Sequence, residues 1–533
     1  MTDDIATQAP SRRAVWLGRS LRAATGIGVL ALVGAVVAAG VRLPAHDPAA
    51  ADDGTHVDVP PSAVTLTCPA PLILPAAGGG DRAFDPVPVA PVMSVVAAAA
   101  SSAGTTVAPA AGGAPAATLA PGSAVARISD PAGSLVVRAE PGDTAAQVGA
   151  VAGSVVTAGD LRGLSAASCQ RPTTDAWLVG GGTDLSSTAQ LVISAAGSTP
   201  AEVTISVYGP SGKVDLTADH YLVAPGHQRV VVLGAVAPEQ RRIAVRVRAT
   251  GGAVTAYVQD SSLDGFTPQG SDLVVPGAPP AKRQVVPGLS VVEAGVDSPL
   301  AGSLRLVVPG ARGTIAHVRI LGPDGVVALP GAQRVDLAAG EVTDVPLGGL
   351  PAGAYTAVVD ADRPVLAAGL VARAGSATAV DPAPSLERAW VPSSPAGVGG
   401  VATIPAGTRG TLVATAVGAT GDATGTLRVI GADGRVLGER SVRIPAGTTG
   451  SWVAETLVGD GQLVPGAAGQ PAAPGAVAAL QLVPDDGDAR LAWALVAEVG
   501  RPDGMFVSVL SPVPAQDDER AVTVRYDPRV GTR

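Results

Sequence analysis

The chain has 533 residues, a formal net charge of −9, 68 Gly, 47 Pro and only 2% aromatic residues. That length is too great for one core, so three or four domains are expected, and the negative charge argues against a nucleic-acid partner, which needs a basic footprint. With so few rings the cores must be built from Val, Leu, Ile and Ala; β-branched residues favour strands, and the Gly and Pro supply turns.

Residues 1–22 carry Arg12, Arg13, Arg19 and Arg22, whereas residues 23–41 carry no charge. As a helix at ~1.5 Å per residue the uncharged run is ~28 Å long, about the hydrocarbon thickness of a bilayer. The arginine bias puts residues 1–22 in the cytoplasm. Residues 23–41 therefore read as a transmembrane helix or signal anchor, with the C-terminal part outside the plasma membrane. The alternative is a signal peptide cleaved near Ala39, after which the remainder is secreted. Either way the chain contains no Asn, and so no N-glycosylation site. Residues 42–60 read as a spacer.

Residues 61–174 form an N-terminal lobe. Its residues 76–123 are mostly Ala, Gly, Pro and Ser without a period. They read as a low-complexity, flexible insertion, with a short helix over 95–100 as its one regular piece. Cys68 and Cys169 are the only cysteines. An even count in an oxidising compartment suggests one disulfide closing this lobe.

Beyond residue 174 the chain repeats itself. A strand followed by a turn reads Val203-Thr204-Ile205-Ser206-Val207-Tyr208 then Gly209-Pro210-Ser211-Gly212; it recurs at residues 316–325 and 427–434. The first glycines of the turns, at 209, 322 and 431, are 113 and 109 apart. A second landmark, Gly226, Gly340 and Gly447, keeps nearly the same period. A period of about 110 is too long for a solenoid repeat or one propeller blade and matches a β-sandwich domain. Residues 175–280, 281–386 and 387–533 are therefore three modules, the last with an insertion at 459–478 and additional C-terminal strands. The expected fold is all-β: tandem immunoglobulin-like β-sandwich modules, arranged as a stalk, behind a single N-terminal transmembrane helix. A β-propeller with two blades per repeat is the alternative.

No catalytic constellation emerges. The histidines, at 46, 56, 220, 227 and 317, do not pair with one another or with cysteine at metal-ligand spacing. His220 and His227 flank a predicted turn. Residues 484–488 resemble a calcium loop but lack its ligand spacing and final Glu. No catalytic, cofactor-binding or metal residue is assigned, and no cofactor is expected. Two groups are candidates for ligand contact. Arg242, Arg246 and Arg248 alternate with Ile243, Val245 and Val247, so one face seeks a core and the other presents cations. These could meet an anionic wall polymer, or simply discourage edge pairing. Trp177 and Trp390 stand at comparable module starts, where they could stack on sugars or pack at seams between modules.

At Asp160-Leu161-Arg162-Gly163-Leu164, Cys169, Pro172 and Trp177, followed by a Gly-rich turn and Leu191-Val192-Ile193, the sequence resembles an uncharacterised actinobacterial family. Its members look like single-pass membrane proteins with a Val/Ala/Gly-rich extracellular part. The likeness spans most of residues 60–530, and its distinctive part is residues 160–193. Ser194-Ala195 stands where the pattern has Asn. The resemblance implies an address and a shape, and no site. The expected role is that of a non-enzymatic, membrane-anchored cell-envelope protein acting as scaffold, spacer or interaction module. Its partners would be the plasma membrane through residues 23–41 and other envelope proteins or wall polymers. Binding of carbohydrate or cell-wall polymer is the alternative.

Overall fold

The computed structural model describes residues 25–38, 55–58, 61–74, 91–101, 103–142, 144–329, 331–377, 384–418, 420–466, 471–515 and 521–524. The chain divides into two units, residues 1–60 with 519–533, and residues 61–518. In the first, residues 25–38 are helical, and Thr55–Asp58 pairs antiparallel with Ala521–Val524. The expected spacer thus holds a strand, and the final strand of the sequence pairs with it rather than with a module. No helix among the described residues is long and apolar enough to cross a membrane. The flanking arginines, the ends of the expected span and the cleavage point at Ala39 lie outside the described residues.

The second unit is all-β, built as four lobes. In each, two sheets face one another across a shared core of Val, Leu, Ile and Ala. Module 1 shows the pattern: Asp175–Val179, Ala244–Thr250 and Ala201–Gly209 lie in one sheet, and Ser187–Ala195, Thr255–Asp264 and Thr267–Val274 lie in the other. In module 2 the two equivalent central strands are fused into Gly353–Ala377. That strand pairs through its first half with Ala281–Val291 and Thr314–Gly322, and through its second half with Ser303–Val307 and Pro384–Pro392.

The repeat landmarks have a backbone cause. Gly212, Gly325 and Gly434 sit in equivalent hairpins at φ +113°, +114° and +84°, and Gly226, Gly340 and Gly447 adopt φ +74°, +75° and +71°. Only glycine visits that region without strain.

Two expectations fail in the N-terminal lobe. The supposed insertion carries the strands Met93–Ser101, Thr105–Pro109 and Ala117–Leu119, and residues 95–100 are strand rather than helix. This Ala-rich strand is buried on both faces: Ala97 and Ala99 enter the lobe's core, and Ala98 meets Val401, Ile430 and Ala479 of module 3. Likewise, Gly461–Leu463 forms a strand within the 459–478 insertion.

The lobes are not strung end to end. Four strands meet at the centre: β1 (Gly163–Ser168), β2 (Thr267–Val274) and β3 (Pro384–Pro392), each at the edge of its sheet, and β4 (Gly504–Leu510), which pairs fully with Arg490–Arg501 on one side and on the other only through Gly504 with Gly375. An edge strand exposes a row of unpaired amides and carbonyls. Here those groups are taken up by side chains of the neighbouring central strands.

Candidate functional site

The centre is where titratable groups concentrate. Glu387 of β3, fully buried, accepts the backbone N–H of Leu164 in β1 at 2.8 Å and that of Val507 in β4 at 3.4 Å, both on Oε1. Asp272 of β2 accepts the N–H of Trp390 in β3 at 2.7 Å. Ser165 Oγ donates to the carbonyl of Ser271 at 3.1 Å, joining β1 to β2. Ser508 Oγ of β4 lies 3.1 Å from both the carbonyl of Ala166 in β1 and Oδ1 of Asp272. These bonds connect every pair among the four strands.

Burial dominates the electrostatics. It pushes the Asp272 carboxyl up to about 8, against amide hydrogen bonds that lower it, with Asp260 adding a smaller upward push. It also holds the Glu387 carboxyl well above the usual range, despite the Leu164 N–H and the Arg162 charge. One hydroxyl proton of Ser508 cannot serve two acceptors. It is donated to one of them at a time. Gly163 lets Glu387 approach: a Cβ there would sit 2.7 Å from its Oε2, and φ is +149°. Around this core, Arg162 pairs with Asp503 at 2.6 Å and lies over the Phe506 ring, and Asp260 receives both Arg388 and the Trp390 indole. Asp272 and Glu387 are buried, and the hydrogen bonds they make join one central strand to another; Glu387 Oε2, Asp260 Oδ1 and Arg388 Nε are buried without a hydrogen-bond partner among the described residues.

Two of the cavities border the residues described so far. The first, of about 300 Å³, lies beyond the C-terminal ends of β1–β4 and is lined by Cys169, Pro276, Pro395, Trp493 and Pro512. Its serine hydroxyls are already bonded to protein: Ser168 donates to the carbonyl of Ser511, and Ser394 meets the Ser511 hydroxyl.

The second, of about 360 Å³, lies at the seam of modules 1 and 2, where Asp175, Trp177 and Arg246 face Arg312 and Arg363. Strand pairing builds its module 1 wall. Trp177 stands opposite Arg246, and Asp175 opposite Arg248. Asp175 is gripped by Arg246 through both oxygens, at 2.9 and 2.5 Å, and the same guanidinium lies 5.1 Å from the Trp177 ring. Arg248, Arg312 and Arg363 have no ion-pair partner among the described residues and are exposed. Arg363 also lines a neighbouring cavity with Asp336 and Asp362, without an ion pair to either. The cleft itself sets three arginines, Arg246, Arg312 and Arg363, against one carboxylate, Asp175.

Of the residues singled out by sequence, Arg246 and Trp177 converge here, with Arg248 on the same face. Arg242 precedes the strand, at its other end. Trp177 packs into the seam, 5% exposed, against Tyr208, Val307 and Leu366. Trp390 is not at an equivalent module start. It lies on β3, the closing strand of module 2, 3% exposed with Arg305 over its ring, so it offers no face to a sugar. Arg312 and Arg363 were not marked by any local pattern. Cys68 and Cys169 are disulfide-bonded. His220 contacts Asp219, and His227 lies on the opposite sheet of module 1. No group of three or more metal-ligating side chains is assembled among the described residues.

The profile of a family of unknown function, DUF5719, matches residues 124–455, more than half of the chain. The match takes in three of the four central strands and the whole arginine cleft. Comparison with curated proteins and with solved structures gives no match.

Proposed function

The chain belongs to the DUF5719 family, whose function is unknown, and from that premise we propose that it is a non-enzymatic, membrane-anchored protein of the cell envelope. Its exported β-rich part acts as a scaffold or interaction module. The observation carrying this reading is that the buried carboxyls and hydroxyls at the centre are spent on joining strands from four lobes, which makes a rigid platform. Each pair of sheets encloses a hydrophobic cluster that residues of neighbouring lobes extend, and two facing sheets per module favour immunoglobulin-like sandwiches over propeller blades. The anchor is residues 23–41, supported by their lack of charge and their arginine flank. The disulfide suits an oxidising compartment.

Fractionation tests the anchor. The intact chain should sediment with membranes and be released by detergent but not by high salt. Recovery in the cytosol would count against it.

A second reading, binding of a wall polymer, is favoured by the arginine cleft. Retention of the purified chain on isolated cell-wall material is its test.

A further inference from the structure

We infer that the seam cleft is an oxyanion site, and that its ligand is a phosphate-bearing glycan polymer. This deepens the wall-polymer reading and rests on it for the source of the ligand, though not for the anion chemistry.

The argument starts from charge. Of the arginines at the cleft, Arg246 alone has an ion-pair partner among the described residues, Asp175. Its guanidinium is held in place by that bidentate pair and by the indole of Trp177. Arg312 and Arg363 enter from module 2, and Arg248 extends the positive face of the module 1 strand. Guanidinium forks arriving from separate chain segments surround an anion rather than meeting it along one edge. A planar carboxylate satisfies one fork, whereas a phosphate group offers oxygens in several directions.

The remaining walls are Pro280, Val308, Pro309, Gly310, Ala311 and Pro364. Their side chains are apolar or absent and carry no hydrogen-bond donor, so a sugar ring can lie against them. A cavity of about 360 Å³ is at the small end of ligand-binding pockets, enough for one phosphorylated sugar unit while the polymer runs on through the open mouth. Trp177 itself does not stack on the ligand, because Arg246 and Tyr208 already cover its ring.

The test uses the full-length chain in detergent and titration calorimetry with linear polyphosphate, with a polyuronate as the carboxylate comparison and dextran as the neutral one. Wild type should bind polyphosphate, weaken as salt rises, bind polyuronate at least about tenfold less tightly and ignore dextran. R312Q/R363Q should lose about tenfold or more, as expected on removing two charge-assisted donors. R435Q, an exposed arginine on a distant hairpin of module 3, should bind as wild type. Since Arg312 and Arg363 are exposed, thermal melts should be unchanged.

Failure of wild type to bind polyphosphate at low salt would overturn the site. So would equal affinity in R312Q/R363Q, or an equal loss in R435Q. Retention on cell-wall material separates the two claims. Polyphosphate binding that R312Q/R363Q abolishes, without wall retention, keeps the site and removes the wall-polymer reading. Wall retention that ignores R312Q/R363Q keeps that reading and overturns the site.

Discussion

Glu387 Oε1 accepts the backbone N–H of Leu164 at 2.8 Å, across 223 positions of sequence. The bond is the counterpart, at the centre of the protein, of a ladder hydrogen bond that an edge strand cannot make. β1 and β3 belong to lobes on opposite sides of the centre. Without the carboxyl, the Leu164 amide would be buried and unpaired, which costs ~1–3 kcal/mol. The same logic applies to the Trp390 amide and Asp272.

The first prediction concerns pH. Asp272 is held near 8 in the folded chain by burial, against ~3.9 unfolded. The folded state therefore binds the proton more tightly, and its contribution to stability is full below about pH 4 and is lost as pH rises through about 8. Glu387, also raised, acts in the same direction. The urea midpoint should fall between pH 6 and 9, and D272N, which keeps an uncharged acceptor for Trp390, should flatten that fall. A midpoint that rises over this range, or an unchanged slope in D272N, would show that the carboxyl is not protonated at neutral pH.

The second concerns the seam. Arg305 pairs with Asp344 at 2.8 and 3.0 Å, donates to the Gly181 carbonyl at 2.7 Å and lies 4.7 Å from the Trp390 ring centroid. Its side chain is 5% exposed. Removing one partner of a buried pair costs ~3–5 kcal/mol, and Asp344 is partly solvated, so R305A should cost about 3 kcal/mol in equilibrium unfolding. A cost under about 1 kcal/mol, the size of an exposed ion pair, would place Arg305 among solvated surface charges.

The third concerns the disulfide. Cys68 and Cys169 are 101 residues apart, so the bond should add about 4–5 kcal/mol on the chain-entropy account. C68A/C169A should unfold at correspondingly lower denaturant, with the N-terminal lobe lost first in hydrogen exchange. Identical unfolding curves for variant and wild type would mean that the lobe is closed by packing alone.

Local signals in the sequence were legible and distant ones were not. The repeat was read from glycines because a tight turn imposes positive φ on one residue at a fixed place. The strand Ala244–Thr250 was visible because Val245 and Val247 face a core while Arg246 and Arg248 face out. Met93–Ser101 was missed because burial on both faces removes the alternation, and alanine is no strand former. Gly149 fits the same close packing, since a Cβ there would meet Val401 at 2.7 Å. Glu387 and Asp272 were not marked by any local pattern, because their partners come from other lobes and no spacing encodes them. Within the cleft, alternation marked Arg246, whereas Arg312, from a loop, and Arg363, from the long strand Gly353–Ala377, arrive through tertiary packing from the next module.

The central claim is that the β-rich part faces outward. Lys213 and Lys282 are the only lysines in the chain, and both are exposed. A membrane-impermeant amine reagent applied to intact cells should therefore modify both, as read by mass spectrometry of the recovered chain. Modification of both residues before lysis is the predicted result. Labelling that appears only after the cells are broken would put these modules in the cytosol and contradict the account.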